Sequence, residues 1–186
     1  MLRTRALLSA LTGIAGRPLT VTAFRAVPLK PFVAYVQREG RPNLRFMSGA
    51  SNRYNLAGTP CLYVAEEDET ARVGLRHGFD GIAVDEAIFH VKCELTRVLD
   101  LTDAAVCAAL GVTDKNLLAP WETAKRPTTT QRLGEVVLRG RRFDAIRFPS
   151  NAMRAIGKAG VNLVIAEAAA LDSAKVTVAN YDERNA

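Results

Sequence analysis

The feature that most constrains the fold is the irregular order of the segments with β-strand character. Six segments are rich in apolar and β-branched residues: LTVTAF (19–24), CLYVA (61–65), IFHVKCELTRVLDL (88–101), FDAIRFPS (143–150), VNLVIAEA (161–168) and KVTVANY (175–181). Helical patterns do not alternate regularly with them, as a doubly wound parallel sheet requires. The order therefore predicts an α+β fold with a mostly antiparallel sheet and flanking helices.

Two helices are predicted from their end signals. The segment DETARVGLRHG starts with acidic residues and ends with Arg76, His77 and Gly78, which predicts a helix from about Glu67 to His77. The segment TTTQRLGEVVLRGR (128–141) has a threonine cap three residues before a glutamine, followed by apolar residues at helical spacing. A second helix is expected there.

The N-terminal segment MLRTRALLSALTGIAG repeats apolar residues at helical spacing and is interrupted by Ser9 and Thr12. We interpret it as a docking helix that ends near residues 13–16, within an N-terminal unit 1–18 that precedes the main domain at 19–186. No window approaches the roughly 20 apolar residues of a membrane span. A soluble protein without a membrane partner is expected.

Composition restricts the function further. The net charge of +6 suits an anionic partner, but the basic residues are scattered and lack interleaved aromatics, so direct nucleic-acid binding is not favoured. The three cysteines form no C-x-x-C pair, and the chain has only two histidines, which argues against a metal site or a disulfide framework. A reducing, cytoplasmic environment without a metal cofactor is expected.

The standard nucleotide, metalloprotease and hydrolase motifs are absent from the sequence. What remains is a group of arginines and tyrosines near turns: Arg25, Arg53 and Tyr54 before the Gly-Thr-Pro turn at 58–60, and Tyr63 after it. Guanidinium groups bind phosphate oxygens and aromatic faces stack on flat rings. The alternatives are surface arginines paired with Glu39 or Asp68, and tyrosines that belong to the core.

The segment NRYNLAGTPCLYVAEEDETA resembles the RES domain toxins, a family named after an arginine, a glutamate and a serine. Its Arg-aromatic-Asn, Gly-Thr-Pro, Leu-Tyr and Thr-Ala groups all have counterparts in that family. Three flanking segments resemble it more loosely: TAFRAV with Arg25, LGEVVLRGRRFDAIRFPS with Ser150, and GVNLVIAEA with Asn162. The resemblance covers about residues 20–170.

The resemblance implies an ADP-ribosyltransferase-like fold with a split sheet, and a toxin that consumes NAD. It implies cleavage of the nicotinamide–ribose bond by hydrolysis, phosphorolysis or ADP-ribosyl transfer to a protein, under the control of a cognate antitoxin. The residues that it places around NAD are Arg25, Arg53, Tyr54, Tyr63, Ser150 and Asn162. Ser150 has a second interpretation as the cap of the turn that follows at 151–160.

The sequence departs from the family at the glutamate, whose position is occupied by Gly74. The favoured replacement is Glu69, which with Arg53 and Ser150 would form the catalytic set. The alternative is that the acidic run 66–69 only begins a helix. If no acid replaces the missing one, the chain is a non-catalytic relative that binds a nucleotide or a partner protein.

Overall fold

Six β-strands form one sheet in the computed structural model, which describes residues 4–40, 47, 49–79 and 85–178. The strands are β1 (Arg17–Pro28), β2 (Cys61–Ala65), β3 (Glu86–Asp100), β4 (Ala145–Pro149), β5 (Val161–Ala166) and β6 (Val176–Val178). Strands β1 to β5 each contain one of the predicted segments or most of it, and β6 covers residues 176–178 of the last segment. The part of the last segment at 179–181 lies outside the described residues.

The strand order is β1, β2, β5, β4, β3, β6, and an additional pairing between β1 and β3 connects five of the strands into a ring. Only β3 and β4 pair in parallel, along Val98–Asp100 and Ala145–Arg147, while the other pairings are antiparallel. The predicted α+β class with a mostly antiparallel sheet is confirmed.

Eight helices are present in the described residues: α1 (Thr4–Thr12), α2 (Leu29–Glu39), α3 (Asp68–His77), α4 (Ala104–Leu110), α5 (Asp114–Leu118), α6 (Thr129–Arg139), α7 (Asn151–Ala155) and α8 (Glu167–Leu171). The end signals correctly predicted α3 and α6. Helix α6 begins with a capping box between Thr128 and Gln131. Helices α2, α4, α5, α7 and α8 were not predicted, since all except α2 are seven residues or shorter.

The N-terminal helix α1 contributes to the main core. Leu7, Leu11 and Ile14 are buried in one hydrophobic cluster with residues of α6, β4 and β5. Arg142 holds the end of this segment, because its Nη2 donates to the carbonyls of Thr12 (2.8 Å) and Ile14 (3.0 Å). A second cluster joins the apolar side chains of β1, β2, β3 and β5 with α8. Within the described ranges, no helix has both the length and the apolar content to cross a membrane.

Asp144 connects three strands just before β4. Its carboxylate accepts hydrogen bonds from the backbone N–H of Thr96 (2.9 Å) and of Arg97 (3.0 Å), and from Lys175 Nζ (2.8 Å) ahead of β6. Burial acts to raise its pKa, but the bonds from Lys175, Thr96 and Arg97 outweigh it and hold the pKa well below its ordinary value. The ionised carboxylate therefore stabilises the fold.

We expect Asp144→Asn to lower the free energy of unfolding by about 3 kcal/mol at pH 7, because half-buried Lys175 loses its paired charge and the amide has one oxygen acceptor where the carboxylate has two. Because the folded-state pKa is depressed, the stabilisation is present above the unfolded pKa and is lost as pH falls below about 4. Urea unfolding at pH 7 and pH 3 measures both effects. Glu39→Gln, which removes an exposed ion pair with Arg38, is the control and should change stability by less than about 0.5 kcal/mol. An equal effect of the two substitutions would contradict the assignment.

Candidate functional site

A cavity of about 470 Å³ opens between β1, β2, α3 and the start of α7, a size typical of small-molecule sites. Five of the residues predicted for the site contribute to its wall: Arg25, Arg53, Tyr63, Ser150 and Asn162. These residues come from three strands and two loops separated by up to 137 positions in the chain, the interval from 25 to 162. The fold therefore brings the two arginines into one cleft.

Arg25 is held against the sheet at the end of the cavity. It lies on β1 opposite Phe89 of β3, and its Nη1 donates to the carbonyl of Tyr63 at 3.2 Å. Burial lowers the pKa of the guanidinium to about 10. Arg25 therefore remains charged at neutral pH, although it has lost most of its hydration.

Arg53 connects the cavity to the loop after α5. Its Nη1 donates to the carbonyls of Leu117 and Ala119, both at 3.0 Å. Desolvation lowers the pKa of Arg53, and the negative charge of Glu122 partly opposes this effect. Arg53 is thus a charge on the cavity wall and also an anchor for a second loop.

The alternative acidic partners considered for the two arginines are paired elsewhere. Glu39 binds Arg38, and Asp68 binds Arg72 at 3.0 Å. Both of these ion pairs lie in exposed positions at helix surfaces.

A buried asparagine fixes the loop that carries Arg53. The Nδ2 group of Asn55 donates to the carbonyls of Ala50 (2.6 Å), Leu56 (3.3 Å) and Thr59 (3.3 Å). Its Oδ1 accepts the hydroxyl of Tyr63 at 3.0 Å. Since the Tyr63 oxygen also accepts the backbone N–H of Tyr54 at 3.0 Å, the loop is bound directly to β2.

Helix α6 supports the same loop from behind. Gln131 Nε2 donates to the carbonyl of Asn52 at 3.0 Å and to Ser51 Oγ at 3.3 Å. At Gly134 the two backbones are so close that a Cβ atom would lie 1.6 Å from the carbonyl oxygen of Tyr54. This position has room for glycine alone.

The position of Tyr54 corrects the sequence interpretation. Its side chain is completely buried in the core rather than on the cavity wall, with its ring 4.2 Å from that of Phe148. Burial raises the pKa of its hydroxyl, which has no hydrogen-bond partner among the described residues. Neighbouring Arg53 and Tyr54 leave the turn towards opposite sides, so Tyr54 serves packing and not stacking on a ligand.

The capping role considered for Ser150 is present, and its role in binding a ligand stays a prediction. It caps α7, because its Oγ accepts the N–H of Met153 at 3.3 Å, and it also lies on the cavity wall. Its own hydroxyl proton has no recorded acceptor in the described part of the chain. Asn162 lies on β5 opposite Phe148 of β4 and borders the same space.

The structure also corrects the placement of the replacement acid. Gly74 lies on the cavity wall, and a Cβ atom built on it would meet nothing within 4 Å. Glu69 is more than half exposed, pairs with Lys158 and does not line the cavity. The helical rotation between positions 69 and 74 accounts for this difference. Glu69 therefore begins α3 on a face outside the cleft.

Besides Cys61 of β2, two ionisable residues on the wall were not predicted as site residues. His77 comes from the last turn of α3, and Glu122 comes from the loop between α5 and α6. Trp121 lines the cavity beside Glu122. A loop has no periodicity, so no sequence signal identified Glu122. No set of three metal-ligating side chains is found within the described ranges.

Comparisons with known proteins bear on the family and the fold of the chain. The model of the RES domain family matches residues 30–184. A solved structure described as the crystal structure of the M. tuberculosis MbcT–MbcA toxin–antitoxin complex has a chain that superposes with a TM-score of 0.67 at 14% identity. The match covers 94% of this chain and 90% of that one. No curated protein sequence matches the chain.

We expect Gly134→Ala to lower the free energy of unfolding by about 3 kcal/mol, because the new methyl group meets backbone atoms of Tyr54 that cannot move independently. Gly74→Ala is the matched control, since it is also helical but has open space around it. It should be neutral or stabilise by up to about 1 kcal/mol through helix propensity. Urea unfolding of both variants measures the difference, and equal stabilities would refute the close approach.

Proposed function

The chain belongs to the RES domain family, and we propose that it is a toxin that cleaves the nicotinamide–ribose bond of NAD and is held inactive by a cognate antitoxin. RES domain toxins use NAD, and the proposal extends this property to the cavity described above. It treats NAD as a substrate and requires no metal.

The observation that carries the proposal is the convergence of Arg25 and Arg53 on one cavity. Desolvation lowers the pKa of both guanidinium groups, which means that each has lost favourable contacts with water. A diphosphate would supply oxygen acceptors and negative charge to replace that water. The central diphosphate of NAD has this chemistry.

The neutral residues of the wall suit the remainder of the dinucleotide. The Ser150 hydroxyl can donate to a carboxamide or ribose oxygen while its oxygen still caps α7. The Tyr63 ring is fixed because its hydroxyl is bound to Asn55, so it offers a rigid surface to a flat ring. The amide of Asn162 adds a donor and an acceptor.

In the proposed reaction the bond between the ribose carbon and the nicotinamide nitrogen breaks. Both bonding electrons leave with nicotinamide, whose ring nitrogen loses its positive charge, and positive charge develops on the ribose. An oxygen of water, phosphate or a protein side chain then bonds to that carbon, and a proton is released when water is the acceptor. The three alternatives differ in the acceptor and share the binding of the dinucleotide.

We also propose a cognate antitoxin as partner, by analogy with the toxin–antitoxin complex that the fold resembles. An antitoxin that covers the cavity would present acidic groups to its two arginines. The proposed location is the cytoplasm, where NAD is available and the three thiols stay reduced.

A second candidate function is favoured by Gly74, which leaves the family's acid position without a side chain. In that case the cavity binds a dinucleotide without cleaving it, or recognises a partner protein. NAD binding without nicotinamide release would distinguish this function from the enzyme.

We expect the wild-type protein to release nicotinamide from NAD and Arg25→Ala to lower kcat/KM about 30-fold through loss of charged hydrogen bonds. Chromatography quantifies nicotinamide, and mass spectrometry identifies ADP-ribose, its 1″-phosphate or a modified protein. The control is Arg17→Ala, which removes an exposed arginine of the same strand and should stay within about twofold of wild type. Equal activities of the two variants, each shown to be folded, would contradict the diphosphate site.

We expect expression of the wild-type chain in bacteria to deplete NAD and arrest growth, and the Arg25→Ala variant to do neither. Co-expression of a small helical protein from the adjacent upstream reading frame should restore both NAD and growth. Cellular NAD measured over time, with growth curves, tests the toxin and its antitoxin together. Growth arrest at a constant NAD level would contradict NAD cleavage as the toxic activity.

A further inference from the structure

Glu122 is the one carboxylate among the described residues that line the cavity. The ionisable groups that share the wall with it are Arg25, Arg53, His77, Tyr63 and Cys61. Burial raises the pKa of Cys61 to about 12, so its thiol is neutral and is a poor nucleophile. Cleavage of the nicotinamide bond develops positive charge on ribose, and among the described wall residues Glu122 alone offers a carboxylate to it.

The loop that carries Glu122 is held at a fixed point on the cavity rim. Leu117, the last residue but one of α5, offers its carbonyl to Arg53 Nη1 and to Asn151 Nδ2, both at 3.0 Å. The Ala119 carbonyl also binds Arg53. Pro120 then ends the helical path, and Trp121 and Glu122 reach the cavity wall. Glu122 therefore lies three residues after Ala119, whose carbonyl is bound by Arg53.

The other acidic residues considered for this role do not reach the cavity. Glu69 pairs with Lys158 at the surface. Glu66 forms a two-pronged ion pair with Arg147 at 2.6 and 2.9 Å, and Glu67 accepts the hydroxyl of Thr70 at 2.7 Å. Gly74 differs from these acids, because it lies on the cavity wall and a Cβ atom built on it would meet nothing within 4 Å.

We propose that Glu122 supplies the carboxylate that faces the ribose during cleavage of the nicotinamide bond, in place of the acid that is absent at position 74. The inference rests on the proposed function. Glu122 accepts a hydrogen bond from a ribose hydroxyl and its negative charge stabilises the positive charge that develops on the ring. It forms no covalent bond, and it exchanges no proton with the acceptor.

The test compares wild type, Glu122→Gln, Gly74→Glu and the double variant, with nicotinamide release and NAD dissociation constants measured on each. Glu122→Gln should lower kcat about 100-fold, because a charge that acts mainly in the transition state is lost. NAD affinity should change by less than about threefold. The double variant should recover at least about tenfold of the lost kcat, since position 74 lies on the cavity wall and a Cβ atom there would meet nothing within 4 Å.

Glu69→Gln is the matched control and should keep wild-type kcat, because its side chain lies outside the cavity. Wild-type kcat in Glu122→Gln would overturn the role of Glu122 and leave NAD cleavage intact. A loss confined to NAD affinity would also overturn it, since it would show that Glu122 acts on Arg53 and not on the ribose. If Gly74→Glu releases nicotinamide while the wild-type protein does not, the role of Glu122 is likewise refuted. Release by none of the four proteins would overturn the proposed function itself.

Discussion

The site depends on the four hydrogen bonds made by the buried side chain of Asn55. In three of them the Nδ2 group donates to carbonyls of its own loop, and in the fourth the Oδ1 atom accepts from the hydroxyl of Tyr63 on β2. A loop between residues 49 and 60 would otherwise have many backbone conformations available, and fixing it has an entropic cost. These bonds, with the left-handed turn at Gly58 (φ 82°), give Arg53 one position relative to Arg25. The cavity thus has a defined spacing between its two cations.

The electrostatic character of the cleft follows from that spacing. Two guanidinium groups border it, both with lowered pKa values, and one carboxylate comes from a loop that is itself bound to Arg53. Such a cavity favours an anionic ligand over a neutral one. Gly74 places no carboxylate on the cavity wall at the position where the family has its acid. The negative charge near a bound ligand would therefore come from Glu122.

Much of the fold could be predicted because its signals are local. Strand β2 (Cys61–Ala65) matches its predicted segment, and α6 begins at the capping box read from Thr128 and Gln131. Helix α2 was missed although Leu29, Phe32, Val33 and Val36 recur at helical spacing, and none of its described residues is buried. The closure between β1 and β3 involves residues about 70 positions apart, and pairing at that distance leaves no local trace in the sequence.

The same division applies to the site. The sequence alone determined which residue types were available: a pair of arginines, a Gly-Thr-Pro turn and a glycine where the family has its acid. Only the tertiary structure decided which side chains face the cavity, because neighbours such as Arg53 and Tyr54 diverge at a turn whose direction is set by distant packing against Gly134 and Phe148. Glu122 likewise borders the cavity through tertiary structure, since hydrogen bonds to Arg53 and Asn151, both remote in the chain, position its loop.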